Sequence, residues 1–275
     1  MTRRARTLLL LLPLLLFLGL AYLVPFFGVI RWSVTLPEPG LGQYRAALSD
    51  PLVQSVFLRT VRICLAVTVA SVLAGYVIAL LWVRGGPVQK LLVELCILIP
   101  FWISVLTRAF GWLALLSNRG IINQAFGAVG LEPMRLIYVE GAVIVGLTHV
   151  FFGYMVVSLM TSIRRIDENL YAAAANLGAS RLRQHLEITL PLSLPGVLAG
   201  CVLVFILAAS AYATPSLLGG LRISMLAVEV FNQAITYFNW PEAAVISTAL
   251  FVLIAIVVWL ATRVAEGGRR KVIFQ

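Results

Sequence analysis

Six stretches of this chain are apolar and long enough to cross a bilayer, and they constrain its fold more than any other feature. They lie at about 7–30, 60–83, 91–116, 136–161, 195–218 and 242–263. A helix needs roughly 20 apolar residues to span the hydrocarbon. Lipid offers the backbone no hydrogen-bond partner, so only helices and closed barrels cross it. The chain is 61% hydrophobic and 12% charged, with mean hydropathy +1.00 over 275 residues. Soluble domains run nearer ~25% charged, and no polar block here is long enough for a second domain. The expectation is an all-α integral membrane protein with six transmembrane helices, one domain over 1–275. The first run follows basic residues, as a signal peptide does. It exceeds the ~7–15 residues of a signal core, and no small-x-small site follows, so it is read as a retained helix bent at Pro13 and Pro25.

The net charge of +10 raises nucleic acid as a partner, and its distribution excludes one: the basic residues are split among the loops that flank the spans. Arg3, Arg4, Arg6, Arg84, Lys90, Arg164, Arg165, Arg181, Arg183, Arg263, Arg269, Arg270 and Lys271 share one side of the predicted topology. Arg31, Arg45, Arg59, Arg119, Arg135 and Arg222 take the other. The excess places both termini and the connection 164–195 in the cytoplasm. Cys64, Cys96 and Cys201 all lie inside apolar runs without CxxC or Cys/His spacing, so neither disulfides nor a metal site is expected. No cofactor is expected either: there is no GxxxxGK[ST] with which to hold a nucleotide.

The connection 164–195 is the polar exception. Ile166, Leu170, Ala173, Ala174 and Leu177 recur at helical spacing. Asp167 suits the start of that helix, and Gly178 its end, where φ > 0 is common. Ser180 caps a second helix with Leu182, Leu186 and Leu190 on its apolar side. Pro191 and Pro195 are expected to end it. The prediction is a hairpin of two short helices.

This stretch resembles the signature loop of ABC importer permeases, E-A-A-x3-G-x9-I-x-L-P. Ala172-Ala173-Ala174, Gly178 and Ile188-x-Leu190-Pro191 match it in register. Ala172 stands where the family usually has Glu, and Asn176 where an acidic residue is frequent. The run from Ile99 through Leu131, TPSLLGG at 214–220 and NWPEAA at 239–244 are similar to the subfamily of spermidine–putrescine permeases and their opine-type relatives. The resemblance implies the inner-membrane permease subunit of an ATP-driven importer, non-catalytic by itself. Its implied partners are a second permease subunit, two cytoplasmic ATPase subunits, a periplasmic solute-binding protein, membrane lipid, and a small solute such as a polyamine or an opine-type amine. The ATPases would dock on the hairpin at Leu170, Ala172, Ala173, Ala174, Leu177, Gly178, Ala179, Leu190 and Pro191.

Candidates for the substrate path are Trp102, Arg108, Glu140, His149 and Phe151 in the spans and Glu229 in the segment after span five, chosen as the aromatic and charged types that an amine path would use. Pro100 is expected to kink span three. Glu94 and Lys90, one turn apart, are expected to pair. Arg108 either snorkels or meets an acid such as Glu140. Arg59 and Arg62 are read as snorkelling to headgroups, or as facing a partner protein. His149 is read as an interhelical hydrogen-bonding group, and Phe151, Phe152 and Tyr154 as packing. Pro215, Gly219 and Gly220 are expected to end span five. Leu226, Val230, Phe231 and Ile235 then form one face of an amphipathic segment.

Two other classes fit less well. A membrane enzyme would need a catalytic set, and there is no HExxH, no GxSxG and no intramembrane aspartate pair. An ion-coupled secondary transporter would need inverted repeats and midplane ion ligands. His149 alone qualifies as a ligand, and no repeat is evident.

Overall fold

With lipid unable to satisfy backbone groups, the chain folds into helices throughout. The computed structural model describes residues 3–273, with side chains for 11–264; Arg3, Arg4, Arg6, Arg269, Arg270 and Lys271, which count toward the predicted sidedness, have side chains outside that range. In order the helices are α1 (Arg3–Leu18), α2 (Val24–Thr35), α3 (Gly42–Ser49), α4 (Pro51–Arg84), α5 (Pro87–Trp102), α6 (Val105–Leu116) and α7 (Ile121–Ala128). After them come α8 (Glu140–Ile163), α9 (Glu168–Asn176), α10 (Arg181–Gln184), α11 (Leu190–Ala209), α12 (Ala213–Gly219), α13 (Leu226–Phe231) and α14 (Trp240–Ile273). Single π turns at Gly19–Leu23 and His185–Thr189 join neighbouring helices, and a third at Asn232–Thr236 extends α13.

Among the described residues, five segments are long and apolar enough to cross a membrane: Leu11–Thr35, Pro51–Arg84, Glu140–Ile163, Arg181–Ala209 and Trp240–Val264. A sixth forms if Pro87–Trp102 and Val105–Ala128, bent by 103°, are one broken span. Span three is therefore not the kinked helix expected. Pro100 lies inside α5, and the chain turns extended at Ile103 and Ser104 before α6 begins. The donor missing at Pro100 weakens the last turn of α5, and the helix stops two residues later.

Span five departs in two ways. Pro191 and Pro195 do not end a helix. The π turn His185–Thr189 carries α10 straight into α11, with Leu190 N–H bonding His185 O. The wider turn replaces α-helical bonds with i→i+5 ones just ahead of Pro191, so the helix continues through a residue that lacks an N–H donor. The far end comes early, at Ala209. Ser210 turns its hydroxyl back to the carbonyls of Ile206 (3.0 Å) and Leu207 (3.2 Å), and 213–219 form the separate helix α12. By contrast α4 starts earlier than expected, because Asp50 accepts from Leu52 N–H at 2.8 Å and Pro51 takes the first helical position.

Contacts group the chain into two units, 1–55 with 229–252 and 56–228 with 253–275. In the first, α2 meets α14 through Phe26 on Phe251 (4.9 Å between centroids) and Trp32 on Trp240 (6.2 Å). The Tyr44 hydroxyl of α3 bonds Ser33.

The second unit is built on α8. Val143, Leu147, Met155, Val156 and Leu159 are fully buried. Met155 packs against Gly75 of α4 and Gly200 of α11. Gly196 and Gly200, one helical turn apart, let α11 approach until its backbone lies on Ser162 and Met155. Ser158 donates to Gly196 O at 2.8 Å. Helices in lipid lack a hydrophobic drive to associate, so close packing of small residues and interhelical hydrogen bonds supply it. Beyond α12, Gly220 adopts φ 56°, ψ −150°, a region open almost only to glycine. Any Cβ there would sit 2.7 Å from the ring of Tyr138.

Filling the α8–α11 contact is expected to be costly. Gly196→Leu must displace Ser162, and overpacking of this kind destabilises by about 1–3 kcal/mol. The check is a lowered unfolding midpoint of the purified variant in detergent micelles.

Candidate functional site

The hairpin forms from local rules. Asp167 caps α9 by accepting from Asn169 N–H at 2.9 Å. At its other end Gly178 (φ 78°) allows a Schellman closure: Ala179 N–H bonds Ala174 O and Gly178 N–H bonds Ala175 O, both at 2.9 Å. Ser180 then accepts from Arg183 N–H at 3.3 Å and opens α10. Arg183 and Glu187 form an exposed i,i+4 pair at 2.9 Å, which adds only a few tenths of a kcal/mol. The second arm of the hairpin is thus the first turns of span five, not a separate short helix.

This hairpin carries uncovered apolar side chains. Leu177 is 88% exposed, Leu182 68%, Leu186 53%, Leu190 46% and Leu170 45%. Ala172, Ala173 and Pro191 are exposed as well, whereas Ala174 and Ala179 are half-buried in the turn. Gly178 is held by its φ rather than by packing, since nothing lies within 4 Å of a Cβ built there.

Of the substrate-path candidates, Arg108 of α6 and His149 of α8 are neighbours, and Glu140 is engaged elsewhere. Glu140, at the start of α8, takes both Arg62 and Arg59 (3.5 Å) from α4. The two arginines therefore tie α4 to α8 and do not snorkel freely, and Arg108 does not meet Glu140. Arg108 instead holds a buried Nε with no hydrogen-bond partner. One turn on along α6, Trp112 Nε1 donates to His149 Nδ1 of α8 at 3.2 Å, the interhelical bond expected of that histidine. Trp102 is 89% exposed at the end of α5. Phe151 packs at a tilt on Tyr154 (6.4 Å), which also meets Phe101 edge-on (5.0 Å). Glu229 belongs to the other unit, buried and accepting from Gln233 Nε2 at 3.0 Å.

Two further expectations change. Glu94 accepts from Trp82 Nε1 at 2.9 Å and Lys90 lies over the Trp82 ring at 5.8 Å, so both serve that indole and not each other. Leu226 is buried and its N–H bonds Thr60 Oγ1 at 2.9 Å, whereas Phe231 and Ile235 are exposed. The four side chains therefore do not share one environment, and the difference between Leu226 and Phe231 already arises within α13.

A groove of about 680 Å³ opens between the end of α5, α8 and α11. Its lining includes Phe101, Tyr154, Ser158, Thr161, Ser162 and Arg165. Sequence reasoning missed this hydroxyl stripe, although Ser158, Thr161, Ser162 and Arg165 follow i, i+3, i+4, i+7 spacing.

The helical architecture is that of ABC importer permeases. A chain of a bacterial alginate ABC transporter, crystallised in complex with its alginate pentasaccharide-bound periplasmic protein, superposes with TM-score 0.81 at 16% identity, covering 94% of this chain and 93% of that one. No protein-family model matches the chain. It is 32% identical over 221 residues to the spermidine/putrescine transport system permease protein PotB of Escherichia coli K12, covering 78% of this chain and 80% of that protein. To the protein of the same name from Haemophilus influenzae it is 30% identical over 227 residues, covering 82% and 79%. The chain belongs to this permease family: it is a multi-pass membrane subunit of an ABC importer.

The Glu140 cluster is expected to hold α4 against α8. Glu140→Gln should lower stability by about 1 kcal/mol. A double-mutant cycle with Arg62→Gln, read as denaturation midpoints, should return a coupling of similar size.

Proposed function

We propose that the chain forms half of the translocation pore of a polyamine importer of the inner membrane and serves as a single permease domain over 1–275. It pairs with a second permease, takes solute from a periplasmic binding protein, and docks an ATPase subunit on the hairpin. ATP hydrolysis belongs to the ATPases. The observation that carries the reading is the hairpin: an element stiffened by capping at Asp167, Gly178 and Ser180, yet presenting Leu170, Leu177 and Leu182 to the outside. A rigid apolar knuckle is suited to a groove in another protein. The family supports spermidine or putrescine as the solute class, since that is what its named members transport.

The basic residues at this end of the helices, Arg84, Arg164, Arg165, Arg181 and Arg183, support a cytoplasmic position for the hairpin. Alternating access then follows from the two permease halves rocking as the ATPases close, with solute shifting the balance only as far as it prefers one state. Ion-coupled transport has no support in the site: His149 is bonded to Trp112.

The double variant Leu170→Asp/Leu177→Asp tests docking. Burying a leucine contributes roughly 1.5–3 kcal/mol, so ATPase co-purification should fall at least about a hundredfold while membrane insertion is unchanged. Recovery of the intact complex contradicts the docking role. The transport reading is checked with the reconstituted complex and radiolabelled spermidine: uptake should require ATP. Uptake on a proton gradient alone contradicts it.

A further inference from the structure

Three elements converge on one oxygen at the base of the hairpin. Thr189, fully buried in the π turn, accepts from Arg84 Nη2 at 3.0 Å. It shares a second hydrogen bond with the Tyr171 hydroxyl, also at 3.0 Å. The Arg84 guanidinium lies over the Tyr171 ring, 5.6 Å from its centroid. Arg84 is the last residue of α4, Tyr171 belongs to α9, and Thr189 leads into α11. A threonine hydroxyl offers two lone pairs and one proton, so a single side chain serves both neighbours. Further along the same two helices the tie is repeated. The Tyr76 hydroxyl of α4 bonds Ser193 Oγ of α11 at 3.0 Å, and its ring meets His185 edge-on at 5.6 Å.

We propose that Arg84, Thr189 and Tyr171 are positioning residues that convert displacement of α9 into movement of α4 and α11, and so set how much ATPase motion reaches the pore. This inference rests on the docking reading of the hairpin. Its basis is that α9 turns Leu170 and Leu177 outward, so Tyr171 supplies its polar link to both spans. The node also falls on the π turn. A π turn carries i→i+5 bonds in place of α-helical ones and often marks a functional position. At that turn one side chain is bonded to two other elements, so displacement of any one of the three is passed to the others.

Thr189→Val keeps the shape and removes the hydroxyl; Thr189→Ser keeps the hydroxyl. Tyr171→Phe keeps the ring under Arg84 and removes its hydrogen bond. Each is reconstituted as the full importer, with its partner permease, ATPases and binding protein, and radiolabelled spermidine is the probe. Thr189→Val and Tyr171→Phe are expected to assemble at wild-type stoichiometry and to hydrolyse ATP, with spermidine moved per ATP lowered by roughly fivefold. Thr189→Ser is expected to restore the ratio. A wild-type ratio in both Thr189→Val and Tyr171→Phe overturns the proposal. So does a loss of assembly or thermal stability that fully accounts for the lost transport, because the node is then only structural. Failure of the docking reading shows elsewhere, in a wild-type chain that recovers no ATPase.

Discussion

Close backbone approach within α8 and α11 underlies the rest of the second unit. In lipid, two helices gain little by hiding leucines from a solvent that is itself apolar. What remains is dispersion between well-fitted surfaces and hydrogen bonds that have no competitor. Gly196 and Gly200 remove the side chains that would hold the helices apart, and Ser158 bonds across the gap they leave. Met155 then fills the space between Gly200 and Gly75, which brings α4 onto the same helix. With those three helices fixed, the Glu140 cluster and the Thr189 node lie on two joints of one frame, α4 with α8 and α4 with α11.

The hairpin stands apart from that logic. Its stability comes from closure of its own backbone at Asp167, Gly178 and Ser180, and little apolar area is covered by the chain itself. A locally stiff element needs no partner to keep its shape, so it can give its apolar side to one. The polar node behind it makes the opposite trade: Thr189 is buried and fully bonded, which ties the hairpin to the frame at a defined point. Rigidity at the surface and a fixed link at the base are what transmission of force through a short element requires.

Features set by neighbours along the chain are legible in the amino-acid sequence. Asp167, Gly178 and Ser180 act within a few residues of themselves, so capping rules alone place the hairpin. The lengths of the apolar runs place most spans for the same reason. What is not legible depends on residues far along the chain. Glu94 and Lys90 stand one turn apart and look paired, but Trp82 of another helix takes both. Arg108 and Glu140 invite one another by charge, but Arg59 and Arg62 are the ones that α4 brings to Glu140. Pro191 reads as a terminator because the rule assumes α-helical register, and the π turn alters the register just before it. The Gly196–Gly200 spacing is plain in the sequence, but its partner surface on α8 is not. The substrate path is not legible because its candidates are chosen by residue type, and type does not say which helices meet.

The most direct test of the account is the sidedness and occupancy of the hairpin tip. In a background with Cys64, Cys96 and Cys201 replaced, Leu177→Cys places one thiol on the most exposed leucine of the turn. Labelling is measured with a membrane-impermeant maleimide in right-side-out and inverted vesicles, with and without the ATPase subunits. The account predicts reaction only in inverted vesicles, and protection there once the ATPases bind. Reaction from the periplasmic side, or an unchanged rate with the ATPases bound, would contradict it.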